Sequence, residues 1–348
     1  MTAKPSTTQV EYRRLGKSGL RVSVPIVGAM SFGTPDWAKW VIGEEESLTI
    51  LKAAWDRGIN TIDTANVYSN GISEVVVGKF LQKYSIPREQ IIIATKCFGV
   101  VHEDPGVRTA IHPELKKERT YVNQYGLSRA AIFNAVNASL ARLNSPYIDL
   151  LQIHRFDPDT PPEEIMKALH DLIQQGKVRY IGASSMRAWQ FAMLNDVADR
   201  RGWTKFVSMQ NEYSLLYREE EREMIAYCNF NGIGLIPWAP LHGGTLARPL
   251  DTPDTTRTAV SRGTVWEPKI SEADSSIVSR VAEIAKKHGK TMAQVALAWN
   301  MGKVTSPIVG LSSVARLEES IITGFTLTEE ENKYLEEPYV PKPVRGHP

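Results

Sequence analysis

Residues 148–185 carry the pattern that decides the fold. Ile148-Asp-Leu-Leu-Gln-Ile-His-Arg155 is a short, largely apolar run, and Pro161-Pro-Glu-Glu-Ile-Met-Lys-Ala-Leu-His-Asp-Leu-Ile-Gln-Gln-Gly176 follows it as an amphipathic helix pattern. Tyr180-Ile-Gly-Ala-Ser-Ser185 is then a second apolar run. Pro161-Pro162 stands just before a helix opened by Glu163 and Glu164, and Gly176 closes it as a glycine at the carboxyl end of a helix does. A continuous apolar run is what a parallel strand buried on both faces looks like. The segment therefore reads as strand, helix, strand.

The same alternation extends in both directions. Candidate strands are 27–33, 60–68, 91–97, 148–155, 180–185, 206–214, 234–241 and 306–311. Between and after them lie helix patterns at 45–57, 72–84, 128–143, 163–175, 187–200, 219–229, 277–288 with 293–300, and 314–323. Gly58, Gly202, Gly232 and Gly289 mark further helix ends, and the acidic run Glu219-Glu-Glu221 reads as a helix start favoured by the dipole. Eight strand–helix alternations favour one α/β domain over residues 1–348, a (β/α)8 TIM barrel, over an open doubly wound sheet. The stretch 12–25, with Gly16-Lys-Ser-Gly19 between two strand-like runs, reads as an N-terminal β-hairpin capping one end. Two connections are far longer than usual, 98–127 after the third strand and 242–275 after the seventh. Such loops build specificity at the carboxyl end of a barrel. The tail 338–348 holds four prolines and reads as irregular.

Composition narrows the function. The 348 residues are 42% apolar with 41 basic and 39 acidic side chains, a formal charge of +2 with no basic stripe, so nucleic acid is not an expected partner. Residues 1–10 are polar, and no run approaches the ~20 apolar residues needed to span a bilayer, so no membrane partner is expected. Cys97 and Cys228 match neither a CxxC pair nor a zinc spacing, which points to a reduced, cytoplasmic setting and to no metal. No oligomeric state follows from the sequence.

Four ionisable residues fall at or just past early strands: Asp63 and Tyr68, Lys96, and His154. In a barrel these positions converge on one mouth, and each interrupts an otherwise apolar run, a placement that core packing does not supply. Together they suit proton donation to a carbonyl oxygen while hydride arrives at carbon. A phenol is a reluctant acid near neutral pH, and an ammonium at its side stabilises the phenolate. Lys96 is the candidate ammonium, Asp63 its counter-charge, and His154 the group that orients the carbonyl. Singly, Tyr68 reads as a packed aromatic and His154 as a hydrogen-bonded structural group. Lys96 is costly to bury unpaired, and a purely structural pair with Asp63 is the competing reading. Trp37 and Trp40, after the first strand, either line an aromatic substrate pocket or cover the rim, and Phe98 is a weaker version of the same idea.

Several segments, taken together and in order, carry a resemblance across nearly the whole chain. They are Tyr12-Arg-Arg-Leu-Gly-Lys-Ser-Gly-Leu-Arg-Val-Ser23, Gly58-Ile-Asn-Thr-Ile-Asp-Thr-Ala-Asn-Val-Tyr68, Ile93-Ala-Thr-Lys96, Asp149-Leu-Leu-Gln-Ile-His154 and Gly176-Lys-Val-Arg-Tyr-Ile-Gly-Ala-Ser-Ser185. The chain resembles the aldo-keto reductases, in the branch of the aryl-alcohol dehydrogenases or of the potassium-channel beta subunits. The resemblance implies NADPH-dependent reduction of a small-molecule aldehyde or ketone, aromatic or otherwise apolar. It also admits a cofactor-binding regulatory subunit on the same barrel. It assigns Asp63, Tyr68, Lys96 and His154 to a catalytic tetrad, with Tyr68 as proton donor and His154 also touching substrate. For the nicotinamide it implies Ser184, Ser185 and Gln210 around the carboxamide and Trp238 stacked on the ring, Ser185 standing where many members have asparagine. For the pyrophosphate it implies the loop of Leu241, Gly243 and Arg248. For the adenosine end it implies Gly310, Ser312, Ser313, Arg316 and Glu319, with Arg316 as the charged fork for a 2′-phosphate. Such proteins bind NADP(H) without a G-x-G-x-x-G fingerprint, and none follows a strand here.

Overall fold

The computed structural model describes residues 9–347 apart from 254, 262, 264–266 and 268; the first eight residues of the polar 1–10 stretch, part of the 242–275 loop and Pro348 lie outside. Strands β1 (Glu11–Arg14) and β2 (Arg21–Val24) form the antiparallel hairpin. Its turn is pressed onto the barrel. Gly16 has φ +58°, and a Cβ there would meet the Gly232 carbonyl oxygen at 2.3 Å, so only glycine fits. Leu15 and Val22 pack with Ile26, Ile92, Leu150, Ile236 and Ile308 in a cluster of their own, and the Ser23 N–H donates to the Asn60 and Thr61 side chains where the second barrel strand begins. The hairpin thus stoppers the amino-terminal end and leaves the carboxyl end open for a site.

The barrel strands are β3 (Ile26–Gly28), β4 (Thr61–Asp63), β5 (Ile92–Cys97), β6 (Ile148–Ile153), β7 (Val178–Ser184), β8 (Ser208–Gln210), β9 (Gly234–Leu235) and β10 (Ile308–Gly310). All neighbours are parallel, in the order β10-β3-β4-β5-β6-β7-β8-β9. The ends of that order meet through the N–H groups of Thr305 and Ile308, which donate to the carbonyls of Leu235 and Pro237 at 3.0 and 2.9 Å. Every residue of β5 and β6 is buried, which is why those segments read as unbroken apolar runs.

Helices α1 (Glu44–Asp56), α2 (Ile72–Lys83), α3 (Arg129–Leu143), α4 (Pro162–Gln174), α5 (Ala188–Arg200), α6 (Met224–Asn231), α7 (Thr256–Ser261), α8 (Glu272–His288), α9 (Met292–Lys303), α10 (Val314–Ser320) and α11 (Glu329–Glu336) surround or follow the strands. Side chains start several of them: Ser128 caps α3, accepting from the Ala131 N–H, and Ser271 with Asp274 forms a reciprocal capping box on α8. Among the described residues no helix is long and apolar enough to cross a membrane.

Three features differ from the sequence reading. The regular strands stop earlier, at Asp63 rather than 68 and at Leu235 rather than 241, although single backbone hydrogen bonds to the neighbouring strands run on into the mouth, from the Thr64 and Asn66 N–H groups to the Ala94 and Lys96 carbonyls and from the Trp238 N–H to the Asn211 carbonyl. The run Glu219–Glu221 is a separate 3-10 turn before α6, with Glu219 and Glu220 buried against the tail: Glu219 accepts from the Tyr339 hydroxyl and the Lys342 N–H. Helix α11 was not foreseen, since only Glu331 and Leu335 of it are buried and its apolar stripe is minimal.

Candidate active site

Three adjacent strands and one farther round the barrel deliver polar side chains to a common point in its interior. Asp63 ends β4, Lys96 lies in β5 beside Gln152 of β6, and Gln210 ends β8. The Lys96 Nζ donates to Asp63 Oδ1 at 2.5 Å, to the Thr64 carbonyl at 2.9 Å and to the Tyr68 hydroxyl at 3.2 Å. Lys96 is 1% exposed and Asp63 2%, so an unpaired charge on either would be severely penalised. Asp63 is braced further by the amide nitrogens of Gln152, at 3.0 Å, and Gln210, at 2.8 Å, both onto Oδ2. Burial alone would lower the Lys96 pKa, but the Asp63 carboxylate and the Tyr68 phenol offset it and the net shift is upward, so the ammonium form is kept.

Tyr68 sits in the turn after β4, where the backbone is unusual. Ser69, Asn70 and Gly71 have φ of 47°, 48° and 95°. Left-handed conformations at two non-glycine residues store strain and persist only when their surroundings hold them. Here they do: Asn70 donates to the carbonyls of Asp104 and Val107 and accepts from the His102 N–H, while the Ser69 hydroxyl accepts from the Thr34 N–H. Loops from β3 and β5 thereby lock the turn that presents the phenol. His154, just past β6, stands edge-on to the Tyr68 ring with centroids 5.9 Å apart. Burial, then the charges of Arg155 and Lys96, hold its pKa well below the ordinary 6.5, so the imidazole is neutral at neutral pH and offers an N–H without a charge. The four residues singled out in the sequence are brought together.

The remaining expected residues fall in distinct settings. Ser184 donates to the Gln210 carbonyl at 2.8 Å, and the Trp238 indole N–H donates to the Ser185 hydroxyl at 3.1 Å, Ser185 having φ +42°. The Gln210 amide nitrogen is committed to Asp63 and Gln152 rather than left free for a carboxamide. Asn211, one residue on, turns the other way to Glu220. Arg248 spends its guanidinium inside its own loop, on the Pro253 carbonyl and the Thr258 hydroxyl, so it differs from a free pyrophosphate donor. Leu241 precedes Gly243 and Gly244, where an added Cβ would meet nothing within 4 Å, and the same openness holds at Gly310. Ser313 caps α10, Ser312 is exposed, and Arg316 and Glu319 line a surface hollow of about 490 Å³ with Thr291, Gln294, Ala315 and Glu318. Trp37 and Trp40 meet edge to face at 6.1 Å, and Phe98 packs on Tyr125 at 5.0 Å.

Residues 26–339 match the aldo/keto reductase family. The chain belongs to that family. An aldo-keto reductase of Fusarium vanettenii is 56% identical over 350 residues, covering 98% of this chain and 94% of its own. The versiconal hemiacetal acetate reductase of Aspergillus parasiticus is 49% identical, covering 97% of this chain and 99% of its own. A putative aryl-alcohol dehydrogenase of Schizosaccharomyces pombe is also 49% identical, with 96% and 97% covered. The protein is thus an oxidoreductase of the aldo/keto reductase family, whose members generally use NAD(P)H and act on small carbonyl compounds.

Within this reductase barrel, three groups of residues escaped the sequence reading. Gln152 was hidden in an apolar run, although it lies two residues before His154 and therefore on the same strand face. Arg155 was read as the last residue of the strand 148–155 and Arg108 and Arg257 as residues of the two long loops, and nothing in their spacing marks them. Arg345 of the tail pairs with Glu212 at 2.5 Å and with His242 Nε2 at 2.6 Å, and Gly346 lies so close to Trp238 that a Cβ there would stand 3.3 Å from the indole. The tail is irregular, as expected, yet it is bound to the mouth of the barrel.

Proposed function

We propose that this protein reduces an aldehyde or ketone, aromatic or otherwise apolar, to the alcohol at the expense of NADPH, with Tyr68 as the proton donor. The observation that carries this reading is the placement of the Lys96 ammonium 3.2 Å from the Tyr68 hydroxyl and 2.5 Å from the Asp63 carboxylate. When bound, the reduced dinucleotide supplies the hydride. The chain's own residues supply the rest. Tyr68 gives its proton to the carbonyl oxygen, and the ammonium beside it stabilises the phenolate left behind. Asp63 keeps Lys96 charged and in place, and Gln152 and Gln210 keep Asp63 in place. Neutral His154 donates to the carbonyl oxygen and fixes its orientation. Trp37, Trp40 and Phe98 offer apolar surface for the body of the substrate.

The residues present fit a dinucleotide. Trp238 and Ser184 would hold the nicotinamide end, the open backbone at Gly243 and Gly244 would face the pyrophosphate, and the hollow lined by Arg316 and Glu319 would take the adenosine end. None of the tetrad lines that hollow, as expected for the far end of an extended ligand. The Arg316 guanidinium favours a 2′-phosphate and so NADPH. The unpaired, buried Cys97 and Cys228 accord with a reducing, cytoplasmic setting.

The experiment is Tyr68→Phe. Turnover of a carbonyl substrate should fall by about 10²–10⁴-fold, the usual worth of a positioned acid, while NADPH binding followed by fluorescence quenching persists. Retained turnover would remove Tyr68 from the chemistry.

A further inference from the structure

The first turn of α2 lies behind the reacting groups and carries a buried carboxylate that the proposed chemistry does not use. Asp63 and Lys96 point into the barrel, so their chain neighbours Thr64 and Thr95 face outward to the helix layer. Consecutive residues of α2 take hold of both. The Ser73 hydroxyl donates to the Ala29 carbonyl at 2.8 Å and lies 2.8 Å from the Thr64 hydroxyl. Glu74 Oε1 accepts from the Thr95 hydroxyl at 2.6 Å, and Glu74 Oε2 accepts from Arg142 Nε of α3 at 2.7 Å. Ser73, Glu74, Thr64 and Thr95 are all fully buried, and the Thr64 carbonyl itself accepts from Lys96 Nζ at 2.9 Å.

Arg142 reaches the other reacting group as well. Its stem lies against Gly71, the last residue of the turn that begins at Tyr68, and a Cβ on Gly71 would stand 2.5 Å from Arg142 Cδ. One buried ion pair thus touches both the strand that presents Lys96 and the turn that presents Tyr68. Packing does not ask for a charge at this depth, because a buried ion pair exchanged for apolar side chains of equal volume commonly costs nothing in stability. What the carboxylate adds over apolar packing is direction: each of its oxygens fixes one donor at hydrogen-bond distance.

We propose that Glu74 is a positioning residue for carbonyl reduction: through Thr95 and Arg142 it sets the separation of the Lys96 ammonium and the Tyr68 hydroxyl, touching neither substrate nor cofactor. This rests on the reductase reading above and adds to it a group that lies outside the cleft. The contact at stake is the 3.2 Å approach of Lys96 Nζ to the phenol oxygen. Displacing either side lengthens it, and a misplacement of about 1 Å far from the chemistry can cost about 10²-fold in rate. The surfaces expected to meet the dinucleotide and the body of the substrate come from other loops, so binding should be spared.

The test uses the full-length protein with NADPH and benzaldehyde, each variant first shown by circular dichroism to be folded. Glu74→Gln keeps the shape and an acceptor for Thr95 but sets an amide against the guanidinium. Its single-turnover rate should fall about 10–100-fold, while the Kd for NADPH and the KM for benzaldehyde stay within about twofold of wild type. In a Tyr68→Phe background the same change should cost less than about twofold, because the group it positions is gone. Thr95→Val, which removes only the hydroxyl, should lose rate in the same way, and Thr95→Ser, which restores it, should not; this pair decides the matter where Glu74→Gln does not fold. A wild-type rate in the folded variants, an equal loss in the Tyr68→Phe background, or a loss confined to KM or Kd would each overturn the proposal. In those cases reduction of benzaldehyde by the wild type leaves the reductase reading standing. Wild-type protein that oxidises NADPH with neither benzaldehyde nor acetophenone would sink that reading and this one with it.

Discussion

On the floor of the cleft, Asp63 meets Lys96, Gln152 and Gln210, all buried; on the rim, Arg108 and Arg257 lie over the faces of Trp37 and Trp40. The floor is complete without a ligand. Each charge there has its opposite, every carboxylate oxygen has a donor, and the side chains come from strands whose positions the barrel fixes. Such preorganisation lets a group act on whatever carbonyl reaches it. The rim is assembled from loops, and two of its buried donors, Trp37 Nε1 and Arg108 Nε, have no acceptor among the described residues. The two regions differ in construction: the strand ends satisfy one another's polar groups, and the loops leave donors open.

The largest effect should come from breaking the floor. In Lys96→Met, turnover should fall at least ~10²-fold, and the carboxylate of Asp63 is left buried without its ammonium. A loss of about 3–5 kcal/mol in unfolding free energy, read from urea titration, should accompany it. A variant of unchanged stability would mean that the pair is not a closed unit. Trp37→Ala tests the other side. The ring makes an edge contact with Trp40, and its indole N–H bonds to nothing among the described residues, so little stability should be lost. The KM for an aromatic carbonyl should rise about tenfold, in line with the ~1 kcal/mol of an aromatic pair plus lost area. A fall in kcat with KM unchanged would place Trp37 on the floor instead.

The smallest effect is that of pH on stability, and its sign follows from the floor. His154 is held neutral, its folded pKa below the ordinary 6.5, so the unfolded chain binds the extra proton first. The stabilisation is fully present above about pH 6.5 and is lost as pH falls below it. Lys96 acts in the opposite sense: its pKa is raised above 10.5, so its contribution is present below that value and fades only as pH climbs through the folded pKa. Unfolding at pH 5 and pH 7 should show the enzyme weaker at pH 5, with part of that difference gone in His154→Gln. An identical difference in the variant would assign the effect to other groups.

The fold was legible because strands buried on both faces cannot hide their composition. Runs such as Ile148–Ile153 contrast sharply with helices that bury one side, and the alternation counts itself. Boundaries were less legible: Ala65 and Val67 continue the apolar habit of β4, and the Thr64 and Asn66 N–H groups still donate to β5 carbonyls, although the regular strand ends at Asp63. The convergence of Asp63, Tyr68, Lys96 and His154 was legible for a related reason. A lysine within Ile-Ala-Thr-Lys-Cys or an aspartate within Thr-Ile-Asp-Thr-Ala is an expensive substitution that packing would not keep. Gln152 and Gln210 bear no charge, so their role as braces of Asp63 left no comparable mark. The contact of Arg257 with the Trp40 ring was illegible, because the two residues lie in loops more than two hundred positions apart.

In the proposed mechanism the floor acts as one unit, with Lys96 working through Tyr68. A double-mutant cycle with Tyr68→Phe and Lys96→Met, read as the single-turnover rate of carbonyl reduction with NADPH saturating, tests this most directly. The double variant should react within about threefold of Tyr68→Phe alone, because the ammonium has no phenolate left to stabilise. Losses that multiply would show that the two side chains act independently and would contradict the account.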